Sequence, residues 1–230
     1  MDVSARRQAV LFDLDGTLTD PFVGITKSLQ YAVEKLGRIA PAADDLRWCI
    51  GPPIKSAFGI LLETDDPALI DEGVRLYRER YSDVGKFENI LIDGIPEALA
   101  ELVADGYFLS VATSKLKTYA GEIIDHFDLR RYFNVVHGSE LDGRNSVKGD
   151  LIAHILATEP IDATRAAMIG DRSHDVVGAK LNGIETVGVL WGYGDRKELE
   201  DAGAARIAGR PAELRQLIGA LLEPTARFTA

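Results

Sequence analysis

From residue 89 to residue 222 short apolar runs alternate with longer segments of helical period, and this alternation constrains the fold more than any other feature. A helix over Ile95–Ala104 stops at Gly106 and "YFLSVATS" follows as a strand. Helical patterns over 117–127, 148–157 and 174–182 lead in turn to the strands "FNVVHG", "AAMIGD" and "ETVGVL". A last helix, strand and helix fill 196–222, and "QAVLFDL" supplies a first buried strand near the start of the chain. Short apolar strands separated by helices require crossovers, so the strands run parallel and are covered on both faces. The expectation is an α/β fold with a doubly wound parallel sheet.

The block between the first strand and that alternation reads differently. In "DPFVGITKSLQYAVEKLG", Phe22, Ile25, Leu29, Val33 and Leu36 form one helical stripe, with Asp20 as cap, Pro21 at the first position and Gly37 as the stop. "DPALIDEGVRLYRERYSDVG" repeats the recipe with Asp66 and Pro67, then Ile70, Val74, Tyr77 and Tyr81. Shorter helical segments are expected at Ala43–Cys49 and Ile54–Leu61, and no strand is read between about 21 and 88. The chain is therefore divided into an α/β core of residues 1–20 and 89–230 and an inserted helical block of 21–88.

In a doubly wound sheet, ligands sit beyond the carboxyl ends of the strands where the strand order reverses. Here the first strand ends in Asp13-Leu14-Asp15-Gly16-Thr17, the second in Thr113-Ser114-Lys115, and the fourth in Gly170-Asp171-Arg172-Ser173-His174-Asp175. The third, ending in His137-Gly138, is poorer in such groups, and Lys148 starts the helix before the fourth. Other readings exist for each piece. "DG" marks many hairpin turns, but a helix rather than a second alternating strand follows. A calcium loop of EF-hand type needs glycine at Leu18 and glutamate at Gly24. "GDRSHD" alone could cap a helix through Ser173. The gathering of all these groups at three strand ends is what points to a shared cleft.

Two carboxylates about 5 Å apart repel by about 3 kcal/mol at an effective dielectric near 20. Asp13, Asp15, Asp171 and Asp175 together call for a cation or for proton uptake, and Lys148 neutralises only part. Oxygen ligands favour a hard ion, and Mg²⁺ with retained waters fits best.

The four segments, in order, resemble the motifs of the haloacid dehalogenase superfamily of phosphatases: D-x-D-G-T at Asp13 to Thr17, the strand "LSVATS", the lysine of "NSVKGD", and G-D-x-x-x-D at Gly170 to Asp175. The resemblance implies a Rossmann-like core with a small helical cap, and it implies roles. Asp13 would be the nucleophile and Asp15 the general acid/base. Asp13, the Asp15 backbone carbonyl and Asp171 would bind Mg²⁺, with Asp175 supporting the metal from behind. Thr113, Ser114 and Lys148 would hold the phosphoryl group. An acid at Asp15 favours phosphoryl chemistry over dehalogenation. "CIGPPIKSAF" and "GDRSHDVVGAKLNGIETVGVLWGYG" resemble phosphoglycolate phosphatases and related nucleoside 5′-monophosphatases. The implied activity is Mg²⁺-dependent hydrolysis of a small phosphorylated metabolite through an aspartyl-phosphate. A sugar phosphomutase is the alternative, and a dinucleotide-binding module resting on Gly192 and Gly194 a distant one.

In the insertion, Pro52 and Pro53 stiffen a loop beside Lys55, read as the partner for a substrate carboxylate, whereas a nucleoside would need an aromatic face such as Trp48, Phe58 or Tyr31. Arg172 and His174 are read as positioning the loop that bears them or touching substrate. Cys49, the one cysteine, reads as a small core thiol; it rules out an intrachain disulfide and suits a cytoplasmic setting. A net charge of −10 provides no field for a nucleic-acid polymer, and neither a signal peptide nor a membrane span is read. A monomer or a homodimer is expected.

Overall fold

The structure, a computed structural model, describes residues 7–222; of the loose tail expected at 221–230, Leu221 and Leu222 belong to the last helix, and 223–230 lie outside the described residues, as do 1–6. Strand β1 (Arg7–Phe12) is followed by a two-residue strand β2 (Thr19–Asp20), then by helices α1 (Phe22–Lys35), α2 (Ile54–Leu61) and α3 (Pro67–Tyr81), with a 3₁₀ segment at Ala43–Cys49. The short β3 (Ile90–Leu91) returns, and α4 (Ile95–Ala104), β4 (Phe108–Leu116), α5 (Lys117–His126), β5 (Val135–Ser139), α6 (Lys148–Thr158), β6 (Ile161–Gly170), α7 (Ser173–Leu181) and β7 (Glu185–Val189) alternate after it. Finally come α8 (Arg196–Ala202), β8 (Arg206–Ala208) and α9 (Leu214–Leu222). None of the described helices is long and apolar enough to cross a membrane.

Six strands form one sheet in the order β5-β4-β1-β6-β7-β8, every pair parallel. The order runs outward from β1 through β4 to β5, then returns to the other side of β1 for β6 onward, so the reversal sits at β1. Both faces are covered, as the continuous apolar run of β1 demands. Successive side chains point to opposite faces, so Val10 and Phe12 enter the layer of α4, α5 and α9, while Ala9 and Leu11 enter that of α6 and α7. All four are fully buried, and each large one contributes about 1.5–3 kcal/mol of transfer free energy.

The inserted helices close a hydrophobic cluster of their own, including Ile25, Leu29, Val33, Leu46, Phe58, Val74, Tyr77 and Tyr81. Asp66 caps α3 by accepting from Ala68 N–H at 3.0 Å, and Asp20 accepts from Phe22 N–H at 3.0 Å although Pro21 occupies the cap position itself. Strands β2 and β3 pair antiparallel, Thr19 with Leu91 and Asp20 with Ile90, and tie the insertion's exit and return together. Two-residue strands carry no periodicity, so the sequence reading passes over both.

Candidate active site

The register of the sheet assembles the site. Phe12 pairs with Val111 on one side and Ile169 on the other, so Asp13 emerges one residue beyond, level with Ala112 and Gly170. Thr113 and Asp171 follow directly on the neighbouring strands. Asp13 N–H donates to the Ile169 carbonyl at 2.9 Å, which extends the ladder up to Asp13 itself.

Lys148, on the first turn of α6, sits with its Nζ 2.9 Å from Asp13 Oδ1, 2.8 Å from Asp175 Oδ1 and 2.8 Å from the Ala112 carbonyl oxygen. The ammonium thus donates to that carbonyl and faces both carboxylates as ion pairs, at a side chain that is 2% exposed. Burial opposes its charge, but Asp13 and Asp175 outweigh burial and hold its pKa above the usual lysine range. A glycine on the facing helix makes this possible: a Cβ on Gly178 would lie 2.8 Å from Lys148 Cβ.

Asp13, Asp171 and Asp175 present carboxylate oxygens within 4.8 Å of one another, all buried. At that separation each pair repels by at least about 3.5 kcal/mol at an effective dielectric near 20. Asp175 has Lys148 as a counter-charge 2.8 Å from Oδ1, and its Oδ2 accepts from Arg172 N–H at 3.1 Å. Asp171 receives only neutral donors, Thr17 hydroxyl at 3.3 Å and Tyr193 N–H at 2.8 Å. Burial, then the charges of Asp175 and Asp13, push its pKa well above the carboxylate range. A fully buried carboxylate that forms no ion pair among the described residues, in an all-oxygen cluster, fits a hard divalent ion. Mg²⁺ would be held by Asp13 and Asp171, with Asp175 fixed behind them. Gly16, in the left-handed region at φ +86°, and Gly192 let their loops press against Asp171, where a Cβ would clash. Gly194 likewise leaves room for the Asp171 carbonyl oxygen, 2.0 Å from where a Cβ would lie.

Asp15 is not in that cluster. Its Oδ1 lies 2.8 Å from Lys115 Nζ, and Lys115 also donates to the Tyr81 hydroxyl of α3. Burial raises the Asp15 pKa while Lys115 opposes the rise. The sequence reading quotes Lys115 at the end of its strand but gives it no role; its place directly after Thr113-Ser114 was the available signal. Thr113 is buried and accepts from Lys115 N–H at 3.2 Å.

A cavity of about 210 Å³ opens onto Asp13 and Asp15 between the sheet and the insertion. Thr113, Ser114 and Lys115 form its floor, Pro52, Pro53, Ile54 and Lys55 one wall, and Tyr77, Arg78 and Tyr81 of α3 another. Ser139 and the loop after it also line the cavity, so the third strand end is richer than its sequence suggests. Lys55 reaches the rim, but its ammonium lies 2.5 Å from Asp71 and is 60% exposed. The aromatic faces expected at Trp48, Phe58 and Tyr31 are not in this wall: Phe58 is fully buried in the insertion core and Tyr31 donates to Glu79 at 2.5 Å. Tyr77, Tyr81 and Tyr119 stand there instead.

Arg172 turns away from the cavity, donating to the Ile50 carbonyl at 2.8 Å and to Glu198 at 3.0 Å. His174 packs at the same place, where a Cβ on Gly51 would come within 3.1 Å of its Nε2. Both residues join the core to the insertion loop. The start of α7 is capped by Asp175 and Glu198, the latter accepting from Ser173 N–H at 2.8 Å, and not by the Ser173 hydroxyl. Cys49 is buried, and desolvation pushes its thiol up to about 12, so it is an inert core group.

The description "Haloacid dehalogenase-like hydrolase" matches residues 10–189. A 5′-nucleotidase of Pseudomonas aeruginosa is 44% identical over 217 residues, covering 94% of this chain and 98% of that protein. The tyrosine-protein kinase PtkA of Mycobacterium tuberculosis is 39% identical over 215 residues, 92% of this chain and 72% of that protein. Among solved structures, a predicted phosphatase from Clostridium acetobutylicum superposes with a TM-score of 0.89 at 39% identity, over 93% of this chain and 98% of that one. With the strand-end residues converging as they do, this chain belongs to the haloacid dehalogenase-like hydrolase family.

Proposed function

We propose that the chain is a Mg²⁺-dependent phosphomonoester hydrolase working through an aspartyl-phosphate on Asp13, with residues 21–88 as a cap over the cleft. The carrying observation is the pair of buried carboxylates at one strand end, each held by its own lysine: Asp13 by Lys148, Asp15 by Lys115. Asp13 needs no base to attack phosphorus, because a carboxylate is anionic at neutral pH. What it needs is relief from repulsion by the incoming phosphate. Lys148 supplies one positive charge, and a bound Mg²⁺ would supply two more as a Lewis acid toward the phosphoryl oxygens.

As the Asp13 Oδ–P bond forms, the bond from phosphorus to the leaving oxygen breaks, and Asp15 donates a proton to that oxygen. Asp15 then takes a proton from the water that attacks the aspartyl-phosphate, releasing phosphate and regenerating Asp13. Its raised pKa suits the first half of this cycle. Thr113 and Ser114 line the floor where phosphoryl oxygens would rest.

Phosphoglycolate and nucleoside 5′-monophosphates are the two substrate types to weigh, the second from the name of the Pseudomonas relative. Transfer to a protein tyrosine is a second reading, carried by the name of the Mycobacterium relative. Purified protein incubated with a phosphomonoester panel should release inorganic phosphate with Mg²⁺ and stop with chelator. A labile phosphoryl adduct on Asp13 should be trapped by rapid acid quench. Release without any adduct, or phosphate appearing on protein tyrosine and not in solution, would overturn the hydrolytic reading.

A further inference from the structure

Helix α3 carries three arginines, and one differs from the others. Arg75 is held by Glu72 at 2.8 Å and Glu79 at 3.1 Å, and Arg80 by Glu88 at 2.7 Å. Arg78 has no acid or hydrogen-bond partner for its side chain among the described residues. It is half-buried and lines the cavity that opens onto Asp13 and Asp15. The other cations there are taken, Lys115 by Asp15 at 2.8 Å and Lys55 by Asp71 at 2.5 Å.

A part-buried guanidinium without a counter-charge forfeits hydration and gains nothing inside the protein. Its planar fork matches a carboxylate or phosphate in bidentate fashion. The same wall offers little to a nucleobase. Tyr81 is stacked on Tyr77 at 5.0 Å and carries Lys115 over its ring at 4.9 Å, while Lys86 lies over Tyr119 at 5.7 Å. These rings are already engaged. The cavity, at about 210 Å³, also falls below the ~300–1,000 Å³ common for pockets that take larger organic ligands.

We propose that Arg78 binds a second anionic group on the leaving-group side of the substrate, making the preferred substrate a small phosphomonoester whose alcohol carries a carboxylate or a further phosphate. This rests on the hydrolytic reading above and narrows it: Arg78 is the specificity residue, and Lys55 at the rim is secondary.

The test compares wild type, Arg78→Met and Arg78→Lys on four esters: phosphoglycolate, ethylene glycol bisphosphate, ethyl phosphate and adenosine 5′-monophosphate. Ethyl phosphate keeps the short chain without the second anion. Wild type should favour an anionic ester over ethyl phosphate. Arg78→Met should lower kcat/KM on that ester by about 10- to 100-fold, chiefly through KM, the range expected for a charged hydrogen bond. Ethyl phosphate should change less than about threefold, and Arg78→Lys should recover part of the loss. Whichever anionic ester loses more identifies carboxylate or phosphate as the group read. Equal losses on all esters, no loss on any, or adenosine monophosphate as the best substrate would overturn the inference. A binding arm is independent of turnover: calorimetry of both anionic esters with Asp13→Asn in Mg²⁺, with and without Arg78→Met, on variants whose melting is cooperative. Unchanged affinity for both would sink Arg78 even if no ester is hydrolysed, whereas absent hydrolysis with Arg78-dependent binding would sink only the hydrolytic reading.

Discussion

Removing one negative charge from the buried carboxylate cluster should make the protein more stable when no divalent ion is bound. Asp171 lies within 4.8 Å of both Asp13 and Asp175, so the gross repulsion on it is about 7 kcal/mol at an effective dielectric near 20. Lys148, which touches the other two, and proton uptake by the cluster reduce this to a net on the order of 1–3 kcal/mol. Asp171→Asn keeps the shape and the contacts: the amide oxygen accepts from Tyr193 N–H, and the amide nitrogen donates to Thr17 once that hydroxyl rotates. At about 2–4 °C per kcal/mol for a chain of this size, the variant should melt ~3–10 °C higher than wild type in chelator. Mg²⁺ should reverse the order, since at a hundred times its Kd an ion adds about 2.7 kcal/mol to wild type alone. The pH dependence has a definite sign. Burial and like charges raise the folded pKa of Asp171 above the unfolded value of about 3.9, so the folded state binds more protons just above that pH. Wild-type stability in chelator should therefore fall as pH rises from about 4 through the raised pKa, and Asp171→Asn should flatten that part of the slope. Thermal melts at several pH values, with chelator and with Mg²⁺, read all of this. A variant that melts at or below wild type in chelator near neutral pH would refute the argument that Asp171 awaits a cation.

Asp13→Asn should leave a folded protein with turnover reduced by at least about 10³-fold, because the amide cannot serve as the anionic nucleophile; normal turnover by a folded variant would remove Asp13 from the chemistry. Ca²⁺ in place of Mg²⁺ should inhibit, since it takes more ligands at longer distances and shifts the nucleophile from its line of attack; a metal-replacement assay checks this. Lys148→Met should destabilise the metal-free protein by about 3–5 kcal/mol, as two buried carboxylates lose their shared counter-ion, and the urea midpoint should fall accordingly.

The sheet and the floor of the site were legible because both are set by local sequence pattern. Alternating periods give the parallel sheet, and once the first strand lies between the second and the fourth, their ends bring Asp13 within one residue of the level of Thr113 and Asp171. Lys148 was equally legible, sitting at the start of the helix that precedes β6. The roof was not. A sequence of helices says which residues share a stripe but not how one helix block is docked on another layer, and that docking decides which side chains face the cavity. Lys55 is read from the sequence as the partner of a substrate carboxylate, but α3 brings Asp71 against it. Arg78 is one of three arginines on α3, and the sequence reading singles out none of them. It is set apart only because Arg75 and Arg80 find acids on their own turn or across the insertion, and Arg78 falls on the face turned toward Asp13. Lys115 stayed hidden for a related reason: its partner in the core is Asp15, but its second partner is Tyr81, 34 residues away on the insertion. A lysine that spans core and insertion couples the position of Asp15 to that of α3. Replacement of Tyr81 by Phe should accordingly lower turnover while leaving the Mg²⁺ requirement unchanged, and a shifted Mg²⁺ requirement would place the effect in the carboxylate cluster and not at Asp15.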